Sequence, residues 1–419
     1  MNKWILILIT ILAILLAGAM FLFFNGTRVK PEATSETPGS LSIIDRIQNI
    51  FSQTENPQDP PTSIIEGGST PPPPSNENLA LPLERIGNNP IAGFMVHDDT
   101  SNKVRYMESA LGHIYEKEEG KMSERLTNTT IAHVQNVYWA EAGERVLAQF
   151  LSTNTNQLVV ATFSGKLQES NSENETPFVV RGSFLPENII DMSVSPRGEK
   201  IFYLLKDGGE SFGIRANPDG SSAQTIFRSL ITEWLTSWKD ARITLTTKPA
   251  YNIAGIAYSL NPERGVSQRI LAPTPGLTTN EHPEGTYILY AKNGEGNLMT
   301  LAALNQRTNE VLPLSLKTLP EKCVWSKEKE DVLYCGVPET IFPGNYPDDW
   351  YQGKISFTDT LWEVNLNTKT TLKIADLEAL SGESLDIIDL ALSKDEESLY
   401  FKDKRGGMLW QYRFTTPNR

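Results

Sequence analysis

The sequence predicts an all-β body folded as a seven-bladed β-propeller, and three observations lead there. One pattern recurs from residue 81 onward: an apolar strand, a short polar turn and a second run of β-formers. It reads as Val137-Tyr138-Trp139-Ala140 before Val146-Leu147-Ala148, as Met192-Ser193-Val194 before Ile201-Phe202-Tyr203, and as Leu390-Ala391-Leu392 before Leu399-Tyr400-Phe401. The residues closing each first strand, His97, Trp139, Ser195, Trp238, Pro283, Trp325 and Ser393, are 42, 56, 43, 45, 42 and 68 positions apart. Four of those six steps match the roughly 40–50 residues of a four-stranded blade. Third, the second strands at 201–205 and 287–290 are continuously apolar instead of alternating, as expected where both faces of a sheet are covered. Radially packed blades cover both faces without helices. No long helical periodicity interrupts the body, which excludes α/β folds.

Residues 1–3 form a short tail, and 4–24 form an uncharged run interrupted by Thr10 and Gly18. At about 1.5 Å per residue such a run spans the hydrocarbon core of a bilayer, so it predicts a membrane-spanning anchor. A cleaved signal peptide is the alternative, because Ala17-Gly18-Ala19 resembles a small-residue cleavage site. Cleavage there leaves the greasy start Met20-Phe21-Leu22-Phe23-Phe24, which favours the anchor. Lys3 on one side is nearly balanced by Arg28 and Lys30 on the other, so orientation rests on layout: a short tail, one helix and a long acidic body suit an exported body.

Residues 25–80 are rich in Pro, Ser and Thr and include Pro71-Pro72-Pro73-Pro74, a composition that cannot bury enough apolar area to fold. Within this linker, 41–52 places Ile43, Ile44, Ile47, Ile50 and Phe51 at helical spacing. That short amphipathic segment either lies on a membrane or partner surface or is a transient helix without a role.

The propeller body runs from 81 to 419. The two long steps mark insertions, placed at 166–176 and 338–358. Glu84-Arg85-Ile86 and Ile91-Ala92 match Glu124-Arg125-Leu126 and Ile131-Ala132 at an offset of 40. The second copy is an outermost strand leading into the next blade, so the first is one too. The last repeat supplies only three strands, and residues 81–86 are expected to cross over and complete it as a clasp.

Chemistry is constrained more by what is missing. With 38 Lys+Arg against 51 Asp+Glu, the net charge of -13 argues against a nucleic-acid partner. Mean hydropathy of -0.31 suits a soluble body beyond the anchor. His97, His113, His133 and His282 lack metal-ligand spacing, so no metal and no cofactor are expected. Neither a nucleophile elbow nor a phosphate-cradling loop is present. Cys323 and Cys335 flank a hairpin in which pairing of Trp325 with Leu333 sets the sulfurs opposite each other. They form either a disulfide, fitting an oxidising compartment, or two buried thiols. Trp139, Trp238 and Trp325 are placed in the blade core.

The insertion in the sixth blade holds the candidate binding residues Tyr346, Asp348, Asp349, Trp350 and Tyr351, between that blade's second and third strands. Aromatics beside carboxylates on a loop suit protein or carbohydrate contact. Alternatively, the aromatics fold down over the channel mouth and the aspartates form turns. Asp348, Asp349 and Asp359 offer the oxygen donors calcium prefers, at a spacing that matches no loop motif.

Ser195-Pro196-Arg197-Gly198-Glu199-Lys200-Ile201-Phe202-Tyr203, and more loosely 393–401, resemble the repeat signature of TolB-type, WD40-like propellers. Asn217-Pro218-Asp219-Gly220-Ser221 resembles the turn between the outer strands of that repeat. Arg197 replaces the aspartate of the signature, and TolB's amino-terminal domain has no counterpart here. The resemblance implies an extracytoplasmic interaction scaffold. The expectation is therefore a single-pass membrane protein whose propeller binds a protein or glycan at the cell envelope. The alternative is an envelope-anchored hydrolase or lyase using carboxylates in the propeller channel.

Overall fold

The structure, a computed structural model, describes residues 81–99, 102–154, 157–170, 176–294 and 299–414. The expected anchor at 4–24, the linker at 25–80 and the amphipathic segment at 41–52 lie outside these residues. Among the described residues no helix is long and apolar enough to cross a membrane.

Seven four-stranded antiparallel sheets follow one another along the chain. Their innermost strands are Ile91–Val96, Val134–Ala140, Met192–Val194, Trp234–Trp238, Thr278–Glu281, Cys323–Trp325 and Ile387–Leu392, numbered here as blades 1 to 7. The apolar second strands occupy the sandwiched position their composition implies. In Ile201–Asp207, Ile201 and Tyr203 pack with Ala140 and Leu147 of blade 2, while Phe202 and Leu204 pack with Trp234 and Ile243 of blade 4. Each such side chain contributes about 1.5–3 kcal/mol by leaving water. All seven residues of Val332–Pro338 are buried. Trp238 and Trp325 are buried and Trp139 is half-buried against the core between blades 1 and 2.

The ring closes as a clasp. Leu83–Ile86 pairs with Leu409–Arg413, Leu83 opposite Tyr412 and Ile86 opposite Leu409, and so becomes the outermost strand of blade 7. Three residues apart on a strand, Leu83 and Ile86 point to opposite faces. Leu83 packs with residues of blades 6 and 7, and Ile86 with Ile91, Val104 and Tyr106 of blade 1. Glu124–Arg125, the matching segment, is the outermost strand of blade 1.

The long spacing into blade 3 has a different origin from the one expected. Blade 2 is enlarged by its second and third strands, Arg145–Asn154 and Gln157–Glu169, of 10 and 13 residues. Lys166 pairs with Arg145, and Glu169 pairs with Phe178 on the fourth strand, so 166–169 belong to the sheet. A polar composition masked a strand whose length is set by pairing. The insertion of blade 6 does lie between Val332–Pro338 and Asp359–Asn365, and it contains one helical turn, Asp348–Tyr351. A second short helix, Leu377–Ser381, links blades 6 and 7 and was not legible in the sequence. Asp376 caps it through Ala379 N–H at 3.0 Å, and Gly382 ends it at φ 72°.

Candidate functional site

In an antiparallel meander, connections between second and third strands lie on the same face as the links between blades. The blade 6 insertion belongs to that face and is held down on it. Tyr346 and Trp350 are buried at 2% and 3% exposure, stacked on Phe357, and Tyr346 Oη donates to Phe342 O at 2.7 Å. Asp348 Oδ2 accepts from Tyr251 N at 2.7 Å, in the corresponding loop of blade 4. Asn293 of blade 5 donates to both Tyr251 O at 2.8 Å and Tyr346 O at 2.7 Å. The insertion is thus a strap across blades 4, 5 and 6. Asp349 works as a turn former: its carboxylate accepts from Asn345 N at 2.8 Å and pairs with Lys354, and these contacts lower its pKa.

Of the five sequence-selected residues, Tyr351 keeps a surface useful for contact, at 36% exposure, beside Phe342 at 56%. Tyr351 Oη donates to Glu321, in the link into blade 6, and desolvation of the two oxygens raises the pKa of both groups. Asp348, Asp349 and Asp359 do not converge, since Asp359 is buried against Lys322. Among the described residues, no group of three or more His, Cys, Asp or Glu is placed to hold a metal ion. Cys323 and Cys335 are register partners and are joined as a disulfide in the structure.

Two further features escaped the sequence reading. The first lies on the channel. Tyr138 sits on the innermost strand of blade 2, Asp389 on that of blade 7, Asp191 directly before that of blade 3, and Lys239 directly after that of blade 4. Burial raises the Tyr138 pKa, and the charges of Asp191 and Asp389 add to it. Partial desolvation among the channel-facing strands lowers that of Lys239 against the pull of Asp389, although the residue as a whole is exposed. The charge of Asp389 thus acts on Tyr138 and Lys239 from a blade adjacent to neither of theirs. Burial also lifts Asp191 to about 6, although Thr236 N–H donates to it at 2.5 Å. Asp389 has φ 53° within an irregularity of its strand, a bulge that re-aims a side chain.

The second feature is a groove of about 870 Å³ between the clasp strand and blade 1. Beside it, the outermost strand of blade 1 is only two residues long. The groove wall carries Tyr106 and Tyr115, register partners stacked at 5.5 Å. Glu108, buried, accepts from Asn89 Nδ2 at 2.5 Å, while Glu84 receives Lys117 at 3.0 Å and Arg413 at 2.8 Å. Fixed donors and acceptors therefore alternate around an aromatic surface.

With this geometry in hand, the class is defined: the body is a seven-bladed β-propeller. No protein-family model matches the chain, and no curated protein does. Among solved structures it is similar to an oligogalacturonate lyase from Vibrio parahaemolyticus, at 11% identity and a TM-score of 0.51, over 80% of this chain and 94% of that one. An oligogalacturonate lyase in complex with manganese is similar at 9% identity and a TM-score of 0.51, over 80% and 91% of the two chains. TolB from Acinetobacter baumannii aligns at 12% identity and a TM-score of 0.39, over 68% and 62%. At these identities the likeness to the two lyases is one of fold.

Proposed function

We propose that the chain is a membrane-anchored, extracytoplasmic propeller that binds a glycan or protein of the cell envelope. The observation that carries this reading is the groove between the clasp strand and blade 1. Its volume falls in the roughly 300–1,000 Å³ range of ligand sites. Tyr115, stacked on the buried Tyr106, offers an apolar platform, and the Glu84, Lys117 and Arg413 cluster offers hydrogen-bonding groups already held in place by their ion pairs. Hydroxyl-rich ligands match that alternation, because each hydroxyl both donates and accepts. The strap adds a second contact surface through Phe342 and Tyr351.

Calorimetric titration with a panel of envelope oligosaccharides tests the reading. Tyr115→Ala is expected to weaken binding at least tenfold, the loss of about 1.4 kcal/mol, and Tyr351→Ala to weaken it less. Equal affinity of both variants and the parent removes groove and strap together from consideration.

The hydrolase or lyase reading is favoured by the channel group, which places a base with raised pKa, a tyrosine and an amine around one axis. Incubation with oligogalacturonate, the substrate in the neighbours' names, tests it. Release of unsaturated or shortened products that is abolished in both Asp191→Asn and Tyr138→Phe supports catalysis, and no product from the parent protein excludes it for that substrate.

A further inference from the structure

Lys322, Asp359 and Asp386 form a group that serves neither the channel nor the groove. All three are fully buried, at 0% exposure. Lys322 Nζ lies 2.6 Å from Asp359 Oδ2, 2.5 Å from Asp386 Oδ1 and 3.1 Å from Ile387 O. The rings of Trp350 and Phe357 close the site, each centred 5.3 Å from Nζ.

The two carboxyl groups differ. Asp386 is held as a carboxylate, accepting from Trp350 Nε1, Ser356 Oγ and Phe357 N, each at 3.0 Å. Asp359 accepts from Ile387 N at 2.8 Å through Oδ2, yet its Oδ1 is buried with no hydrogen-bond partner among the described residues. Burial lifts Asp359 to about 6 against the pull of Lys322. Around Asp386 burial also acts upward, but Lys322, Phe357 N–H and Trp350 outweigh it and the pKa falls. Lys404, over the Trp350 ring at 5.1 Å, also attracts Asp386, so of the two carboxylates that share the Lys322 ammonium it is Asp359 whose charge is costly to bury. A proton moved from Nζ to Oδ1 of Asp359, the oxygen that accepts no hydrogen bond, would remove the charge separation and leave an amine, a nucleophile, against a carboxylic acid whose Oδ2 still accepts from Ile387 N–H.

We propose that Lys322 and Asp359 condense into an intramolecular amide bond, with Asp386 as the catalytic acid–base. The Nζ lone pair attacks Asp359 Cγ. Asp386 takes a proton from Nζ and delivers it to the Oδ1 hydroxyl, which departs as water when its C–O bond breaks. Amine and carboxylic acid become amide and one water, and nothing is oxidised or reduced. Ile387 N–H, already on Oδ2, stabilises the oxyanion of the tetrahedral intermediate. Packing keeps the reactants in contact, a condition under which intramolecular reactions reach effective concentrations on the order of 10⁵ M or more. The product ties the link before the innermost strand of blade 6 to the start of its third strand, enclosing the strap.

Tryptic digestion of the reduced, full-length protein followed by mass spectrometry tests this. The expected result is one branched peptide containing Lys322 and Asp359, lighter than its two components by one water. Lys322→Arg and Asp359→Ala yield the separate linear peptides, and so does Asp386→Asn, which keeps both reacting residues. A linear peptide with unmodified Asp359 from the folded parent protein overturns the proposal, and that measurement needs no variant to fold. Linkage to Asp386 instead of Asp359, or a bond that persists in Asp386→Asn, overturns it as well.

Discussion

Glu281 shows how a single buried carboxyl shapes the pH response. It ends the innermost strand of blade 5 at 4% exposure, and although Thr244 donates to it, burial raises it to about 7. A folded-state pKa above the unfolded one contributes stability that is complete below about 4.5 and is lost as pH rises through about 7. Glu281→Gln is therefore expected to be more stable than the parent at about pH 8, by on the order of 2 kcal/mol, with the gain fading towards about pH 5. Urea unfolding at the two pH values reads this out. Glu116 acts in the opposite sense: His97 and Arg105 lower it to about 2, so its contribution is present above about 4.5 and disappears in stronger acid. Asn293 ties three blades together through two carbonyls. Asn293→Ala leaves both without that donor and is expected to cost about 1–3 kcal/mol in the same assay. Neither role is visible in the sequence, where Glu281 and Asn293 read as ordinary polar residues.

The clasp strand is the element on which the ring depends. Ile86, 1% exposed, fills the space between blades 7 and 1. Ile86→Ala is expected to destabilise the body by about 2–5 kcal/mol through lost burial and the cavity left behind, read as a lower unfolding midpoint. The strand was legible because its sequence repeats that of the outer strand of blade 1, a local pattern. The blade 6 strap was legible only as an insertion. Its aromatics combine the chemistry of a contact surface with that of a core, and Trp350 is buried because Asp386, 36 residues away, accepts its indole N–H. The disulfide between Cys323 and Cys335 lies on the inner hairpin of the same blade. Replacing Cys335 by Ser is expected to cost about 2–4 kcal/mol, checked by comparing unfolding midpoints with and without reductant.

At the scale of the molecule, strength lies in closure, since each blade is covered by two neighbours and an unclosed ring exposes an edge. Removing the chain through residue 86 uncovers Leu409–Arg413, and the expected outcome is loss of a single cooperative transition together with concentration-dependent association. A sharp, unchanged transition in that variant shows the ring to be stable without its clasp. The exported location is a separate expectation, checked by protease digestion of intact cells against lysed ones: cleavage of the body without lysis agrees with it, and protection contradicts it.

By itself the sequence determined the number of blades, their order and the clasp, because repeat length, apolar second strands and matching outer strands are properties of neighbouring residues. Only the tertiary structure decided which residues meet between blades. Lys322 reaches Asp386, Tyr138 feels Asp389, and the groove opens beside a truncated strand, all through contacts of long sequence separation. Periodicity records the face on which a side chain lies, but not the partner it finds on the next blade.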